Sequence, residues 1–219
     1  MAEEVLTEEE MDALGELSNI SMGSSTTALS ALLQNKKVTI EMPRIEVINR
    51  SQALDDYERQ CILVHINYSK GLEGGDILLL KPTDVMTMTD LMMGGDGTNN
   101  QGEVSDLQLS AISEAMNQMM GSAATSLSVM LNRAVDITPP ETDTIDVESI
   151  KIFENIFKTP DKDMVKVTFR FRVGDLIDST MIQLYRLNFA QNLIDIFMAQ
   201  MKKNEEDIKK AQEREKAGN

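Results

Sequence analysis

A glutamate, an asparagine three residues later and a glycine four residues beyond that occur twice in the chain, as Glu16, Asn19, Gly23 and as Glu114, Asn117, Gly121. Steps of three and four are one helical turn, so each trio shares a helix face. Asp12 and Ser110 extend the two faces by one turn. A carboxamide both donates and accepts hydrogen bonds, so an Asn on a rigid helix can aim an attacking water without forming a covalent intermediate, and a nearby Glu can pair with a cation. Phosphoryl transfer needs little more than positioning and charge neutralisation, and a metal or lysine of the substrate protein can supply the latter. Other chemistries find less support. His65, the one histidine, lies in the apolar run CILVHINY, where a core or edge role suits it, and no Ser, His and Asp constellation forms around it. Cys61 in the same run reads as a buried thiol without a disulfide partner. No His, Cys and Asp cluster has metal-ligand spacing. GGDG at Gly94 to Gly97 lacks a following Lys and Ser/Thr, so it reads as a turn and not a phosphate cradle.

The helix that must carry the first trio presents Asp12, Glu16, Asn19, Gly23, Thr27 and Ser30 as one stripe, backed by Met11, Leu14, Leu17, Ala28, Leu29 and Leu32. The second presents Ser110, Glu114, Asn117, Gly121, Thr125 and Ser128, backed by Leu109, Ile112, Met119, Ala123, Leu127 and Met130. One such stripe alone is a solvated face. Two copies carrying a mid-helix glycine, which costs about 1 kcal/mol relative to alanine, point to a paired binding or catalytic surface. Packing of each glycine against a nearby strand is the alternative. The copies are long: ELSNISMGSSTTALSALL from Glu16 aligns without gaps on EAMNQMMGSAATSLSVML from Glu114, an offset of 98 (114 − 16). Each is followed by a β-like stretch ending in proline, KVTIEMP and AVDITPP.

Periodicity predicts helices near 7–34, 82–93, 107–132 and 188–210, with strands in VTI, RIEVI, CILVHINY and GDILLL, then AVDI, TIDVESI, MVKVTFRFRV and STMIQLY. Turns fall at GLEGG, MGGDGTNNQG and TPDKD. The order is helix, strands, helix, twice over, with strands joined by short turns. That predicts an α+β fold with antiparallel pairing.

The 219 residues suit one generous domain or two small ones. A formal charge of −15, from 36 acidic and 21 basic residues, makes nucleic acid and membrane surfaces poor partners. The start MAEEVLTEEE lacks the apolar core of a secretory signal. The polar stretches Leu17 to Asn35 and Ala115 to Asn132 do not suit lipid. Residues 202–219 read as a charged helical tail or linker, either a solvated tip or a tether to a further domain.

DALGELSNISMG from Asp12 and SAISEAMNQMMG from Ser110 resemble the motif of the CheC, CheX and FliY phosphatases of bacterial chemotaxis. GSSTTALSALL, DLMMGGDG, EAMNQMMGSAATS and VGDLIDSTMIQLY place the likeness closest to the FliY branch. The resemblance implies one CheC-like domain over 6–201, in halves of about 6–98 and 105–201, built on a six-stranded, largely antiparallel sheet with pseudo-two-fold symmetry and both motif helices on one face. It implies hydrolysis of the aspartyl phosphate of phosphorylated CheY. Asn19 and Asn117 would orient water, and Glu16 and Glu114 would meet a CheY lysine. Asp12, Gly23, Ser110 and Gly121 would flank the partner. The implied Mg2+ belongs to CheY, with no cofactor or metal bound by this chain. FliM and FliG are implied as switch partners of the full-length protein, and the place is cytoplasmic, at the flagellar switch of the basal body. Branch members end in a FliN-like domain, which would begin where this chain stops. Some also carry a separate N-terminal CheY-binding peptide, to which only LTEEEMDAL at Leu6 to Leu14 is similar. A non-enzymatic switch scaffold binding partners through the same stripe is the competing reading.

Overall fold

The computed structural model describes residues 6–146 and 163–217. Among the described residues four α-helices, α1 (Glu8–Leu32), α2 (Pro82–Met92), α3 (Asp106–Met130) and α4 (Leu187–Ala217), accompany eight strands. The strands are β1 (Val38–Ile40), β2 (Arg44–Asn49), β3 (Gln60–Lys70), β4 (Gly74–Leu80), β5 (Asp136–Ile137), β6 (Glu141–Asp146), β7 (Asp163–Val173) and β8 (Ile177–Arg186). The sheet runs β1-β7-β8-β4-β3-β5, with β2 also on β7 and β6 also on β3, so eight strands fill six ranks. Every pairing is antiparallel. The α+β class expected from the sequence and the antiparallel sheet implied by the resemblance are therefore present, with eight strands in six ranks where six strands are implied. Of TIDVESI, the part through Asp146 lies in β6 and the remainder is outside the described residues, as is TPDKD up to Lys162.

The duplication is written into the pairing. The β1–β7 and β2–β7 contacts have counterparts in β5–β3 and β6–β3, and β3–β4 has its counterpart in β7–β8. The first two strands of each half lie against the third strand of the other half, so neither half can keep its sheet without its twin. At β4–β8 the pair Leu78↔Gln183 joins equivalent residues at an offset of 105 (183 − 78), which puts the pseudo-two-fold axis there. Over the sheet, Ser122 Oγ donates to the Ser24 carbonyl at 3.3 Å, an offset of 98, so the axis also passes between α1 and α3.

Both motif helices start on the same device. Thr7 and Ser105 accept from the backbone N–H groups of Glu10 and Gln108, whose side chains accept in return from the cap N–H groups. The seven positions buried on α1, Leu14, Leu17, Ser18, Ser21, Met22, Ser25 and Leu29, are buried again on α3 as Ile112, Ala115, Met116, Met119, Met120, Ala123 and Leu127, and α3 buries Ala124 besides. The helices cover one face of the sheet, over a core including Val64, Ile66, Leu78, Val167, Phe169 and Phe171. A smaller core of Ala53, Leu54, Tyr57, Cys61, Leu63 and Ile182 lies on the other face. Burial pushes the Cys61 thiol up to about 12. His65 is half-buried in β3, and burial lowers its pKa. GGDG is a turn: Gly94 and Gly97 have φ of 88° and 85°, and Asp90 Oδ2 accepts from the Gly97 N–H at 2.8 Å.

Candidate functional site

Glu16 and Asn19 on α1 and Glu114 and Asn117 on α3 occupy matching settings, with each Glu exposed and each Asn half-buried beside it. Asp12 and Ser110 are exposed one turn earlier. The stripe read from the sequence divides at this point. Ser30 Oγ donates to the Lys36 carbonyl at 2.6 Å, while Ser128 Oγ donates to the Ala124 and Val135 carbonyls and accepts from the Val135 N–H. These two serines tie helix ends to the chain that follows, and the chemistry is left to the N-terminal half of each stripe. A Cβ added at Gly23 or Gly121 would meet nothing within 4 Å. The fold itself makes no use of the missing side chains.

Each ridge overlooks a cleft. On α1 a space of about 470 Å³ opens between Met11, Asp12, Gly15 and Glu16 and the turn at Met42, Pro43 and Ile45. On α3 a space of about 480 Å³ opens between Leu109, Ser110, Ser113 and Glu114 and the turn at Pro139, Pro140 and Thr142. With Glu8 and Asp106 included, every residue lining the first cleft has an equivalent lining the second, at offset 98 on the helices and 97 in the turns (140 − 43). Asn117 lines the second cleft in addition.

The CheC-like family model matches residues 9–47 and 107–142, which are the two ridges with the turns that wall their clefts. The chain is 35% identical to the crystal structure of Thermotoga maritima FliY, covering 90% of this chain and 99% of that one with a TM-score of 0.80. The chain belongs to the FliY branch of the CheC-like family. It is also 45% identical to the flagellar motor switch phosphatase FliY of Bacillus subtilis over 203 residues, 92% of this chain and 53% of the relative, and so spans about half of that relative's length. A chain in the FliG–FliM complex from H. pylori shares the fold at 14% identity, with a TM-score of 0.66 over 87% of this chain and 100% of that one.

Within this FliY-type domain the two sites have different supports. Around the α3 site, Ser113 Oγ donates to the Pro140 carbonyl at 3.0 Å and Thr142 Oγ1 donates to the Leu109 carbonyl at 3.2 Å, strapping helix to turn. Their equivalents at the α1 site are Gly15 and Ile45, which have no side-chain hydroxyl to donate. Gln118 Nε2 donates to Glu114 Oε1 at 2.8 Å, whereas the residue in the Gln118 position beside Glu16 is Ile20, 43% exposed. The sequence reading missed the cleft walls. Its one pointer was the proline closing each β-like stretch, since Pro43 and Pro140 mark the turns.

No group of three or more His, Cys, Asp or Glu among the described residues could hold a metal ion. No helix among them is long and apolar enough to cross a membrane. Beneath the two helices, close to the axis, lies a buried Asp76. Gln183 Nε2 donates to its Oδ2, its Oδ1 has no partner, and burial pushes the carboxyl up to about 7.

Proposed function

We propose that this chain hydrolyses the aspartyl phosphate of a CheY-type response regulator, with a working site on each motif helix. The carrying observation is the twin ridge: an exposed Glu and a half-buried Asn at identical spacing, beside clefts of nearly equal size, with an equivalent in the second cleft for every residue lining the first. Each ridge supplies one half of a site. Asn19 or Asn117 orients the attacking water through its carboxamide, and Glu16 or Glu114 pairs with a lysine beside the regulator's acyl phosphate. Asp12 and Ser110 border the docked partner, and Gly23 and Gly121 let it approach the helix. The acyl phosphate is already activated and the regulator holds the Mg2+, so this chain needs neither a nucleophile nor a metal of its own. The B. subtilis relative is named a flagellar motor switch phosphatase, which supports a place at the cytoplasmic side of the flagellar switch, among proteins such as FliM and FliG.

The test is phosphate release from phosphorylated CheY in Mg2+, with and without this protein. Wild type accelerates release, each single Asn→Ala variant keeps part of the acceleration, and Asn19→Ala with Asn117→Ala loses about 10²- to 10³-fold. Full acceleration by the double variant contradicts the assignment. Absence of acceleration by wild type leaves the switch scaffold as the reading.

A further inference from the structure

The two halves differ where their last helices end. The offset of 105 that relates β4 to β8 carries Pro82 to Leu187 and Met92 to Phe197, so the eleven residues of α2 match the first eleven of α4. Helix α4 then continues for another 20 residues (217 − 197), with no counterpart in α2. Its first exposed turns run beside the α1 ridge and enclose a cleft of about 550 Å³ between Glu9, Asp12 and Glu16 on one side and Met198, Met201 and Glu205 on the other. Asp12 and Glu16 also line the cleft against the β1–β2 turn, so the α1 ridge stands between two clefts.

Two features say what this second cleft takes. Four carboxylates, Glu9, Asp12, Glu16 and Glu205, face a single ammonium, Lys202, so a basic occupant is favoured. The wall is also apolar: Phe197, Met198 and Met201 line it, and Met201 is 40% exposed. Met42, 75% exposed, lies on the far side of the ridge, and Ile20 is exposed one turn beyond Glu16. Of the seven large apolar side chains left exposed among the described residues, Met201 lines this cleft and Met42 lines the one across the ridge. An exposed apolar side chain in an acidic cleft suits an interaction site, and methionine adapts its shape to a partner.

We propose that the part of α4 beyond Phe197 is a second docking wall belonging to the α1 site alone, and that it receives a basic segment with an apolar side chain from the phosphorylated response regulator. This rests on the reading of that regulator as substrate. A regulator whose phosphate sits over Asn19 extends across Glu16 into this cleft, because Glu16 lines both. The α1 site therefore holds its partner more tightly than the α3 site does.

Single-site proteins test this. In the Asn117→Ala background, where only the α1 site works, Glu205→Lys and Met201→Lys each raise KM for phosphorylated CheY about 3- to 10-fold with little change in kcat, Lys202→Glu lowers it, and Met201→Leu restores wild-type KM. In the Asn19→Ala background the same changes leave KM within about twofold. Equal shifts in both backgrounds, or no shift in the first, overturn the proposal. Binding of beryllofluoride-activated CheY to the double Asn→Ala protein, followed by fluorescence anisotropy, separates this from failure of the catalytic reading. If hydrolysis proves independent of both Asn residues but Glu205→Lys still weakens that binding several-fold, the catalytic reading fails and the docking wall stands. Unchanged binding removes the wall.

Discussion

The α1 and α3 sites share a plan and differ in their supports. The caps correspond, and every buried position of α1 and every residue lining its cleft has an equivalent on the α3 side. Around that common frame, the α3 cleft is held by two side-chain straps and carries its Asn in the lining, while the α1 cleft is walled by Gly15, Met42 and Ile45 and gains a second wall from α4. Duplication has thus preserved the geometry that presents Glu and Asn and has left the surroundings free to change. Straps fix the distance from helix to turn and favour a high chemical rate, because small misplacement of a positioning group is costly. Methionines such as Met42 and Met201 adapt their shape to a partner and favour grip over alignment.

The largest effect expected is at Gly121. Because an added Cβ there meets open space, Gly121→Leu in the Asn19→Ala background keeps the melting temperature near its parent, while the side chain intrudes on the docked partner and cuts turnover about 10²-fold. A much lower melting temperature, read by circular dichroism, would show that the glycine packs against the fold. Next comes the pair of straps. Replacing Ser113 by Gly and Thr142 by Ile gives the α3 cleft the residues of the α1 cleft and removes two hydrogen bonds, each worth about 1 kcal/mol. In the same background kcat should fall roughly 3- to 10-fold with little change in KM, and an unchanged kcat would show that the straps do not set alignment. A smaller change is expected from Gln118→Ile. It frees Glu114 from an interaction worth about 0.2–0.5 kcal/mol and should lower KM at the α3 site about twofold, to be read by steady-state phosphate release.

The smallest effect concerns stability at the axis, where Asp76 occupies the position that Met181 holds in the second half (76 + 105). Its carboxyl titrates near 7 when folded and near 4 when unfolded, so between these values the native state holds a proton that the unfolded chain has lost. Stability from this group therefore falls as pH rises from about 4 to 7 and stays low above. Asp76→Asn cannot titrate, so its melting temperature should gain on wild type by a few kelvin between pH 4.5 and pH 8, as measured by calorimetry. A constant gap would show that Asp76 is not the group responsible.

Much of this is legible in the sequence, because gapless copies at offset 98 identify both ridges and the helix faces they occupy. The buried serines are not. Met11, Ala28 and Leu32, which helical spacing assigns to the core, are half-buried, while Ser18, Ser21 and Ser25 are buried. Ser21 and Ser25 hide their hydroxyls by donating to the carbonyls of Ser18 and Met22, three residues back, and so need no partner across the interface. The second copy holds the clue, since Met116, Met119 and Ala123 stand at the same positions. The exchange of strands between halves is illegible for another reason: alternation shows which residues face the core and not which strand lies alongside. Charge-rich composition likewise obscures the reach of α4, predicted to end near 210 and continuing to Ala217.

The most direct measurement is steady-state phosphate release from phosphorylated CheY by the two single-site proteins, Asn117→Ala and Asn19→Ala, compared side by side. Two active sites on unequal supports predict that both proteins turn over, with the higher kcat in Asn19→Ala, where the strapped α3 site works, and the lower KM in Asn117→Ala, where the double-walled α1 site works. Identical constants in the two proteins, or activity confined to one of them, would contradict the account.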